Sequence, residues 1–564
     1  MYRALRFATA LTAVSLALAP ATGWAQARKQ APAAAPVAGL VAAASPESVG
    51  FDTARLARLD SYMQSVVAEG RVAGMTTLLA RHGKIVQSKT YGKKNLATGA
   101  PMTDDTIFRI YSMTKPITGV AMMILFEEGR WRLDDPVTRY VPEFKTLRVM
   151  TGEDGNGKPI LEDMKRPPTM REIMSHTAGF GYGLQDEHPV DKLYREKSVL
   201  GSNGLKEMID RTATIPLVYQ PGTSWRYSSA VDFQGYIVEK LTGKTLGQFM
   251  AERIFKPLKM NDTAFFVAPA KAGRLSAVYA FNKATGKIED ADKIFDRPMQ
   301  TYLTPPSMES GGGGLTSTTM DYARFSQMLV NGGELEGVRI LSPATVQLMG
   351  TNVIPKNVLV NSNGTSGLRF NEAVGFGLDF MVVADPRAAG SLEGRGDMSW
   401  GGAAGTWFWI DPTNDLIFVG MIQRLGGSGG DDLGTMARTL TYQALLHPEK
   451  RTRDRFAARQ SVPALPGGWR ARRLDGSAAG RPALRRKRSL SGAVQSDVGW
   501  VRDLLGSDRR ELVRRSVLHP LGRALRVDRA LLDRWPLLCR RVGSRPDDLR
   551  ADEPARADPA PDQR

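Results

Sequence analysis

Residues 108–119 read FRIYSMTKPITG, and this stretch places Ser112 and Lys115 three residues apart where a helix is about to begin. Residues i and i+3 of a helix share a face, so the two side chains can meet over the first turn. The positive potential of a helix N-terminus disfavours a lysine cation and favours a developing alkoxide. Partial burial also lowers the pKa of a lysine, so Lys115 is predicted to offer a neutral amine as a base. The alternative is an N-capping serine followed by a surface lysine, because an isolated S-x-x-K pattern is short.

The patterns beside this stretch predict two strands before it and a helix after it. Residues 75–92 read as two strands joined by a tight turn at residues 82–83. Apolar residues recur at helical spacing from Ile117 onward, and Gly129 is a natural stop for that helix. Helical patterns broken by proline and glycine then continue over about residues 169–265.

Strand signals return later in the chain. Residues 406–423 predict two strands, rich in aromatic and β-branched residues, around a turn, and residues 431–447 predict a closing helix. This order predicts an antiparallel sheet assembled from both chain ends and flanked by helices, with a helical domain inserted between them. The predicted α/β part covers about residues 46–115 and 310–449, and the helical part about residues 116–309.

The first 27 residues have the features of a secretory signal peptide. Two arginines precede a short apolar run, and residues 25–27 read AQA, which is an A-x-A cleavage site. Residues 28–45 read as a flexible Pro/Ala-rich linker. A retained membrane anchor is the alternative, but no long hydrophobic continuation follows. The mature protein is therefore expected to be exported, periplasmic or secreted, with no membrane span.

The basic charge of the chain is concentrated in residues 450–564. The 564 residues carry a net charge of +18, but this segment holds 28 Lys and Arg against 14 Asp and Glu, and the remainder holds 48 against 44. We interpret the segment as a solvated extension without a defined fold. A basic arm that contacts nucleic acid or anionic lipid, or out-of-frame translation of GC-rich DNA, are the alternatives. No nucleic-acid partner is expected, since the basicity lies outside the domain that holds Ser112.

Two further motifs accompany the Ser112 region. Residues 227–229 read YSS, and residues 400–403 read WGGA just before a predicted strand. With flanking text such as PTMREIMSHTAGFGYG at 168–183 and GGGGLTSTTMDYARFSQMLVNGG at 311–333, they resemble the serine β-lactamase and penicillin-binding-protein superfamily. The closest resemblance is to class C-type β-lactamases and the related family VIII carboxylesterases, and it runs over about residues 45–447. It implies a β-lactamase/transpeptidase-like fold, with an α/β domain and an all-α domain flanking the active site.

The resemblance assigns catalytic roles to four residues. Ser112 would be the nucleophile that forms an acyl-enzyme. Lys115 and Tyr227 would share the proton transfers, and which of them is the primary base stays open. The oxyanion hole would consist of the backbone N–H groups of Ser112 and Ala403. No cofactor and no metal are implied, and the five scattered histidines and the single Cys539 give no metal-site pattern.

Two departures from the family pattern bear on the substrate. The second motif is usually Y-x-N, but Ser229 stands at its third position, which removes an amide that would hold an acyl-amide side chain. The third motif of β-lactamases is K-T-G, and Trp400, Gly401 and Gly402 replace it here. An indole cannot neutralise a substrate carboxylate, but it can pack against an alkyl or aryl group, and glycines let a substrate approach the backbone closely. We count these four residues as substrate-binding, and both departures favour uncharged esters.

Two rival signals are weaker. Ser428 lies in a G-x-S-x-G pattern at residues 426–430, which a glycine-rich loop satisfies by composition, so we interpret it as a loop residue. His176 is interpreted as a structural residue whose ring fixes a loop near the site by hydrogen bonds.

The sequence therefore predicts an exported, cofactor-free serine hydrolase that cleaves small, short-acyl carboxylic esters. One alternative is a β-lactamase or a D-amino-acid peptidase, such as a D-Ala-D-Ala carboxypeptidase, with the same fold. Another is a catalytically silent protein that binds cell-wall ligands. A small ester, or a β-lactam, is the expected ligand, and the sequence does not predict the oligomeric state.

Overall fold

The fold is taken from a computed structural model, which describes residues 39–184, 188–294, 302–361, 370–426 and 433–448. The predictions for the signal peptide, most of the linker and the basic extension lie outside these residues, as do Ser428 and Cys539.

The described strands are between two and nine residues long. In chain order they are β1 (Val41–Ala42), β2 (Gly74–Arg81), β3 (Lys84–Gly92), β4 (Phe108–Arg109), β5 (Arg148–Glu153), β6 (Pro159–Asp163), β7 (Tyr279–Asn282), β8 (Lys287–Asp290), β9 (Thr316–Ser317), β10 (Glu334–Leu335), β11 (Val338–Arg339), β12 (Val374–Phe376), β13 (Met381–Val383), β14 (Asp397–Gly401), β15 (Trp407–Asp411), β16 (Leu416–Met421) and β17 (Arg424–Leu425).

The described α-helices range from one turn to about four turns. In chain order they are α1 (Thr53–Ala68), α2 (Thr114–Glu127), α3 (Met170–Met174), α4 (Pro189–Glu196), α5 (Leu205–Thr212), α6 (Ala230–Thr242), α7 (Leu246–Met250), α8 (Ala291–Ile294), α9 (Thr319–Val330), α10 (Pro343–Met349), α11 (Lys356–Asn361), α12 (Pro386–Ala389) and α13 (Leu433–Ala444).

The central sheet is assembled from both ends of the folded region, as predicted. Its strand order is β1-β3-β2-β16-β15-β14-β13-β12. Neighbouring strands are antiparallel except for β1 and β3, which run parallel at one edge. The predicted hairpin at residues 75–92 is confirmed as β2 and β3, and His82 and Gly83 in its turn both have positive φ angles, 55° and 69°.

The two faces of this sheet pack against different helices. Leu78 and Ile417 belong to the hydrophobic cluster that contains α2 and α9. Leu79 and Phe418, one residue further along their strands, belong to the cluster that contains α1 and α13. Successive strand residues point to opposite faces, so with helices on both faces β2 and β16 are buried at every residue.

Helix α2 is buried along most of its length. Every residue from 114 to 125 is buried, and the helix packs against α6. A helix that is apolar all round belongs in a core rather than on a surface. It ends at Glu127, and Gly129 follows with a φ of 71°, which confirms the predicted stop. The position of Lys115 near its first turn is therefore fixed by packing on all sides.

The region between the two halves of the sheet is mostly helical, as predicted. It is not purely α-helical, however, and in this respect it differs from the predicted all-α domain. It contains α3 to α7 and also the hairpins β5–β6 and β7–β8. The first hairpin turns at Asp154, whose carboxylate accepts hydrogen bonds from the backbone N–H groups of Asn156 and Lys158. Among the described residues, no helix is both long enough and apolar enough to cross a membrane.

Candidate active site

Ser112 lies in a short 3₁₀ turn, residues 111–113, between β4 and the first residue of α2. Tyr111 precedes it with a φ of 41°, a left-handed conformation that a non-glycine residue rarely adopts. Such strain persists only where the surroundings impose it, and it is common at active sites. Here the backbone N–H of Ile110 donates to the carbonyl oxygen of Leu315 over 3.1 Å, and the Tyr111 ring meets that of Tyr302 edge to face.

Lys115 directs its ammonium group at three acceptors, which matches its three donors. Its Nζ donates to Ser112 Oγ at 3.2 Å, to the hydroxyl of Tyr182 at 3.0 Å and to the carbonyl oxygen of Gly312 at 2.6 Å. The side chain is 1% exposed. The predicted contact between Ser112 and Lys115 is therefore present, and the surface-lysine alternative does not describe this residue.

The charge state of Lys115 differs from the sequence prediction. Burial lowers the pKa of its ammonium group, as expected, but the facing phenols of Tyr182 and Tyr227 raise that pKa by more, so the net shift is upward. Its Nζ lies 5.1 Å from the centre of the Tyr182 ring and 4.6 Å from that of Tyr227. Burial also raises the pKa of the Tyr182 hydroxyl. The net shift of the Lys115 pKa is thus opposite in direction to the lowering that the sequence predicted.

Tyr227 reaches the serine from the inserted region. Its hydroxyl donates to Ser112 Oγ over 2.7 Å. The chain that carries it is anchored to His176, whose carbonyl oxygen accepts from the N–H of Arg226 at 2.9 Å and whose Nδ1 faces Ser228 Oγ at 3.0 Å. Burial and the charge of Lys115 hold the pKa of His176 well below its usual value, so the ring is neutral. These contacts agree with the structural role predicted for His176.

Trp400 lies beside Tyr227 at the end of β14. Its ring is half-buried, and its indole N–H donates to the Tyr227 hydroxyl at 3.4 Å. The two ring centres are 5.4 Å apart, and Phe376 packs on the other side at 5.3 Å. Trp225 lies behind Tyr227, buried with its ring nearly parallel to the phenol. The sequence predicted only the apolar surface of Trp400, not this hydrogen bond.

The glycines after Trp400 form a tight turn against the serine segment. A Cβ atom on Gly402 would lie 2.4 Å from the carbonyl oxygen of Ile110 and 2.2 Å from Thr406 Oγ1, so no side chain fits there. The turn closes by a 2.9 Å hydrogen bond from the N–H of Gly405 to the carbonyl oxygen of Gly402. Glycine at 402 is therefore required by the protein's own backbone, whereas Gly401 is exposed. Ala403 lies exposed in this turn.

Ser229 does not face the site. It is fully buried, and both its N–H and its hydroxyl donate to the carbonyl oxygen of Gly181, at 3.1 Å and 3.2 Å. The predicted substrate contact is therefore replaced by a contact between two protein segments. The short hydroxyl folds back onto the backbone, whereas an asparagine amide would be longer.

Sequence reasoning missed the carboxylate behind Lys115. Asp232 is buried, and one of its oxygens accepts from Ser310 Oγ at 2.5 Å and from the N–H of Gly312 at 3.0 Å. The carbonyl of that same Gly312 accepts from Lys115, so Gly312 links the carboxylate to the lysine through its two neighbouring peptide units. Burial raises the pKa of Asp232. The run of four glycines at 311–314 was the sequence signal that another group approaches this backbone closely. A Cβ on Gly312 would lie 2.6 Å from the Asp232 carboxylate, so no side chain fits there.

In the part of the chain that the structure describes, no group of His, Cys, Asp and Glu side chains could hold a metal ion. What the described residues bring together is a serine with a lysine and a tyrosine on its oxygen, at the junction of a mixed sheet and a helical region. This arrangement is that of the serine hydrolases built on the β-lactamase and penicillin-binding-protein fold.

Comparisons with known proteins agree with this class. The profile of the family described as Beta-lactamase matches residues 59–443. An uncharacterized protein of Mycobacterium tuberculosis is 35% identical over 367 residues, which cover 64% of this chain and 88% of that protein. Esterase EstB of Burkholderia gladioli is 30% identical over 382 residues, which cover 65% of this chain and 90% of the esterase.

A solved structure shares the fold over the same region. EstCE1, described as a hydrolase with promiscuous acyltransferase activity, is 25% identical, with a TM-score of 0.57 over 69% of this chain and 99% of its own. The chain belongs to the Beta-lactamase family. It is a serine hydrolase, close to the family VIII esterases.

Proposed function

We propose that this protein is an exported carboxylesterase that hydrolyses small, uncharged, short-acyl esters through an acyl-enzyme on Ser112. The observation that carries the proposal is the pair of hydrogen bonds on Ser112 Oγ, 2.7 Å from the Tyr227 hydroxyl and 3.2 Å from Lys115 Nζ. Both distances lie within the range at which a general base can take the proton of a serine.

Tyr227 is the proposed base, and it would act after losing the proton that its hydroxyl donates to Ser112 Oγ, with Lys115 Nζ 4.6 Å from the centre of its ring. Ser112 Oγ bonds to the ester carbonyl carbon while its proton passes to the Tyr227 oxygen, and the carbonyl π pair moves onto oxygen. The N–H groups of Ser112 and Ala403 are proposed to donate to this oxyanion. When this electron pair re-forms the carbonyl double bond, the bond between the acyl carbon and the alcohol oxygen breaks, and Tyr227 gives its proton to the leaving alcohol.

The second half of the cycle uses the same groups in reverse. A water molecule gives a proton to Tyr227 while its oxygen attacks the acyl carbon. The bond from that carbon to Ser112 Oγ then breaks, and Tyr227 returns the proton to the serine. The net reaction is ester and water to acid and alcohol. Lys115 keeps its proton throughout and compensates the charge on Tyr227.

The preference for esters rests on Trp400. A half-buried indole stands where β-lactamases have a lysine, so an anionic substrate would lack the cation that this lysine supplies. Esterase EstB, with which this chain shares 30% identity, is an esterase by name. The β-lactamase and D-amino-acid peptidase alternatives are disfavoured by the same tryptophan. The silent binding protein is disfavoured by the short contacts between Ser112, Lys115 and Tyr227.

Steady-state kinetics test the proposal directly. The protein and its Ser112→Ala variant are assayed on a butyrate nitrophenyl ester and on a chromogenic cephalosporin. Ester turnover that the variant lacks, with little cephalosporin cleavage, is the expected result. Faster turnover of the cephalosporin would instead favour the β-lactamase alternative. Export is tested separately by N-terminal sequencing of the mature protein, which is expected to begin at Arg28.

A further inference from the structure

The buried carboxylate of Asp191 on α4 joins the two chain segments that carry the active-site phenols. One oxygen accepts from the backbone N–H groups of Tyr182 and Gly183, at 2.8 Å and 2.6 Å. The other accepts from the guanidinium of Arg226. Both partners of this ion pair are buried, with Asp191 1% exposed and Arg226 3% exposed.

These two segments each hold one tyrosine against the reacting groups. Residues 181–183 carry Tyr182, whose hydroxyl accepts from Lys115 Nζ. Residues 225–229 carry Tyr227, whose hydroxyl donates to Ser112 Oγ. The two phenol rings lie 5.3 Å apart, edge to face. The bonds from Ser229 to the carbonyl oxygen of Gly181 form a second connection between the segments.

We propose that the Asp191–Arg226 ion pair is a positioning device, which sets the separation of Tyr182 and Tyr227 around Lys115. The inference rests on the proposed role of Ser112, Lys115 and Tyr227. Among the described hydrogen bonds of the Asp191 carboxylate none goes to Ser112, to Lys115 or to the Tyr227 hydroxyl, so it would act through the two tyrosine segments. The backbone N–H of Tyr182 itself bonds to Asp191, and Tyr227 directly follows Arg226, which pairs with Asp191. A shift of this carboxylate therefore moves both phenols.

Stability alone does not account for a pair of this kind. Replacing a buried ion pair with apolar side chains of similar volume is often neutral or stabilising, because both charges lose their hydration when buried. Fixed geometry, on the other hand, is what a proton transfer requires, since a displacement of about 1 Å can lower a rate about 100-fold. Trp400, which is proposed to bind the substrate, lies on β14 rather than on either of these two segments.

The test is a double variant, Asp191→Asn with Arg226→Met, which removes both charges and leaves no unpaired charge buried. It is expected to fold, with kcat about 10- to 100-fold lower on the butyrate nitrophenyl ester and KM within about threefold of the wild type. The single variant Arg226→Lys keeps the charge and a hydrogen bond to Asp191, and we expect its kcat to stay within about threefold of the wild type.

A matched control is another buried ion pair of the described residues, Arg438 with Glu393, whose charged atoms are 3.0 Å apart. Glu393→Gln disturbs a buried ion pair without touching either tyrosine segment, so kcat should not change. The rate of Ser112 labelling by a fluorophosphonate serves as a second readout that needs no ester. If the wild type is labelled but hydrolyses no ester, the proposed substrate is wrong and the positioning role is decided by the labelling rates.

Two outcomes overturn the positioning role. One is a folded double variant with the kcat and the labelling rate of the wild type. The other is a double variant with no cooperative thermal transition, since the pair would then be needed for the fold itself.

Discussion

The Tyr227 hydroxyl donates a 2.7 Å hydrogen bond to Ser112 Oγ, although 115 residues separate the two in the chain. Lys115 is only three residues from the serine, and its Nζ lies further away, at 3.2 Å. The shorter contact is thus the one that depends on tertiary structure. It exists only when the inserted region packs against the 3₁₀ turn that precedes α2.

This contact makes Tyr227→Phe the most direct test of the catalytic assignment. The variant keeps the ring and its packing against Trp400 and loses only the oxygen. If Tyr227 is the acid and base, kcat on the butyrate nitrophenyl ester should fall about 10²- to 10⁴-fold, the usual contribution of such a group, with KM little changed. Steady-state kinetics with active-site titration of Ser112 measure both effects.

Tyr442→Phe is the matched control for that experiment. Tyr442 is also largely buried, and its hydroxyl donates to Asp411 at 2.7 Å, on the face of the sheet that α1 and α13 cover. Its loss should lower stability without changing kcat. Comparable kcat values for the wild type and Tyr227→Phe would remove Tyr227 from the mechanism and leave Lys115 as the base.

Two substitutions at Asp232 separate the charge of this carboxylate from its geometry. Asparagine retains an oxygen that can accept from Ser310 and from the N–H of Gly312, whereas alanine leaves that N–H without its acceptor. Because the carbonyl of the same residue, Gly312, accepts from Lys115, we expect Asp232→Ala to lower kcat by about 10-fold or more. Asp232→Asn should stay within about fivefold of the wild type. The assay is kcat on the nitrophenyl ester, with a thermal melt of each variant to confirm folding.

Equal losses of kcat in both variants would contradict this account, because charge rather than geometry would then be responsible. Asp379→Asn is a useful comparison. Asp379 is also buried, its pKa is raised well above the usual value by burial, and its carboxylate accepts from the Gln234 amide at 3.0 Å. It has no described hydrogen bond to the Gly312 peptide, so its substitution should not change kcat.

The fold and the pair of Ser112 and Lys115 could be predicted because they depend on local patterns. The β2–β3 hairpin follows from alternating residues around a turn, and the start of α2 brings residues i and i+3 together. The contact with Tyr227 followed from a family resemblance rather than from any spacing. Asp232 was missed because nothing in its own neighbourhood distinguishes it from a core residue, and for Tyr182 core packing was as good an explanation as a place in the substrate cleft.

Three details differed because they depend on burial, which a sequence does not give directly. Lys115 was expected to be a neutral amine from its own burial, but the phenols that face it reverse the net shift of its pKa. Ser229 was expected to face the substrate, but its hydroxyl bonds to Gly181. Glycine at position 402 was expected because it lets the substrate approach the backbone. The structure gives a different reason, since the carbonyl of Ile110 leaves no room for a side chain there.

Substitutions of Trp400 test whether the indole supplies more than an apolar wall. Trp400→Phe keeps an aromatic ring and loses the N–H that reaches the Tyr227 hydroxyl. A hydrogen bond of this length is weak, so we expect kcat to fall by about three- to tenfold with KM unchanged. Trp400→Lys adds the cation that β-lactamases have, and the ratio of cephalosporin to ester turnover should rise. Both predictions are measured by paired assays on the two chromogenic substrates.

Trp131→Phe is the control for the loss of an indole N–H. Trp131 is buried and donates to the carbonyl oxygen of Met122 at 2.9 Å, away from the serine. Its substitution should leave kcat unchanged. A Trp400→Lys variant with the substrate ratio of the wild type would show that this position does not determine the preference for esters.

The pH dependence of stability is expected to reflect Asp397, which begins β14 three residues before Trp400. Burial and the charges of Glu393 and Asp411 raise its pKa to about 8, because the single guanidinium of Arg438 faces more than one carboxylate. The unfolded chain releases this proton near its ordinary pKa, whereas the folded protein keeps it until about pH 8. Stability contributed by Asp397 therefore falls as the pH rises through this window, by up to about 1.4 kcal/mol per pH unit, and is constant above it.

The measurement compares urea unfolding of the wild type and Asp397→Asn from about pH 5 to about pH 9. The free energy of unfolding of the wild type minus that of the variant should decrease up to about pH 8 and then level off. Glu336→Gln is the control of opposite sign, since hydrogen bonds from Arg324 and Lys259 lower the pKa of Glu336 to about 2. The stability that ionised Glu336 contributes is fully present above the ordinary pKa of a glutamate. The free energy of unfolding of the wild type minus that of Glu336→Gln should therefore be flat over the whole pH range. A flat difference for Asp397→Asn as well would mean that Arg438 keeps Asp397 ionised, and that β14 is held by a permanent ion pair.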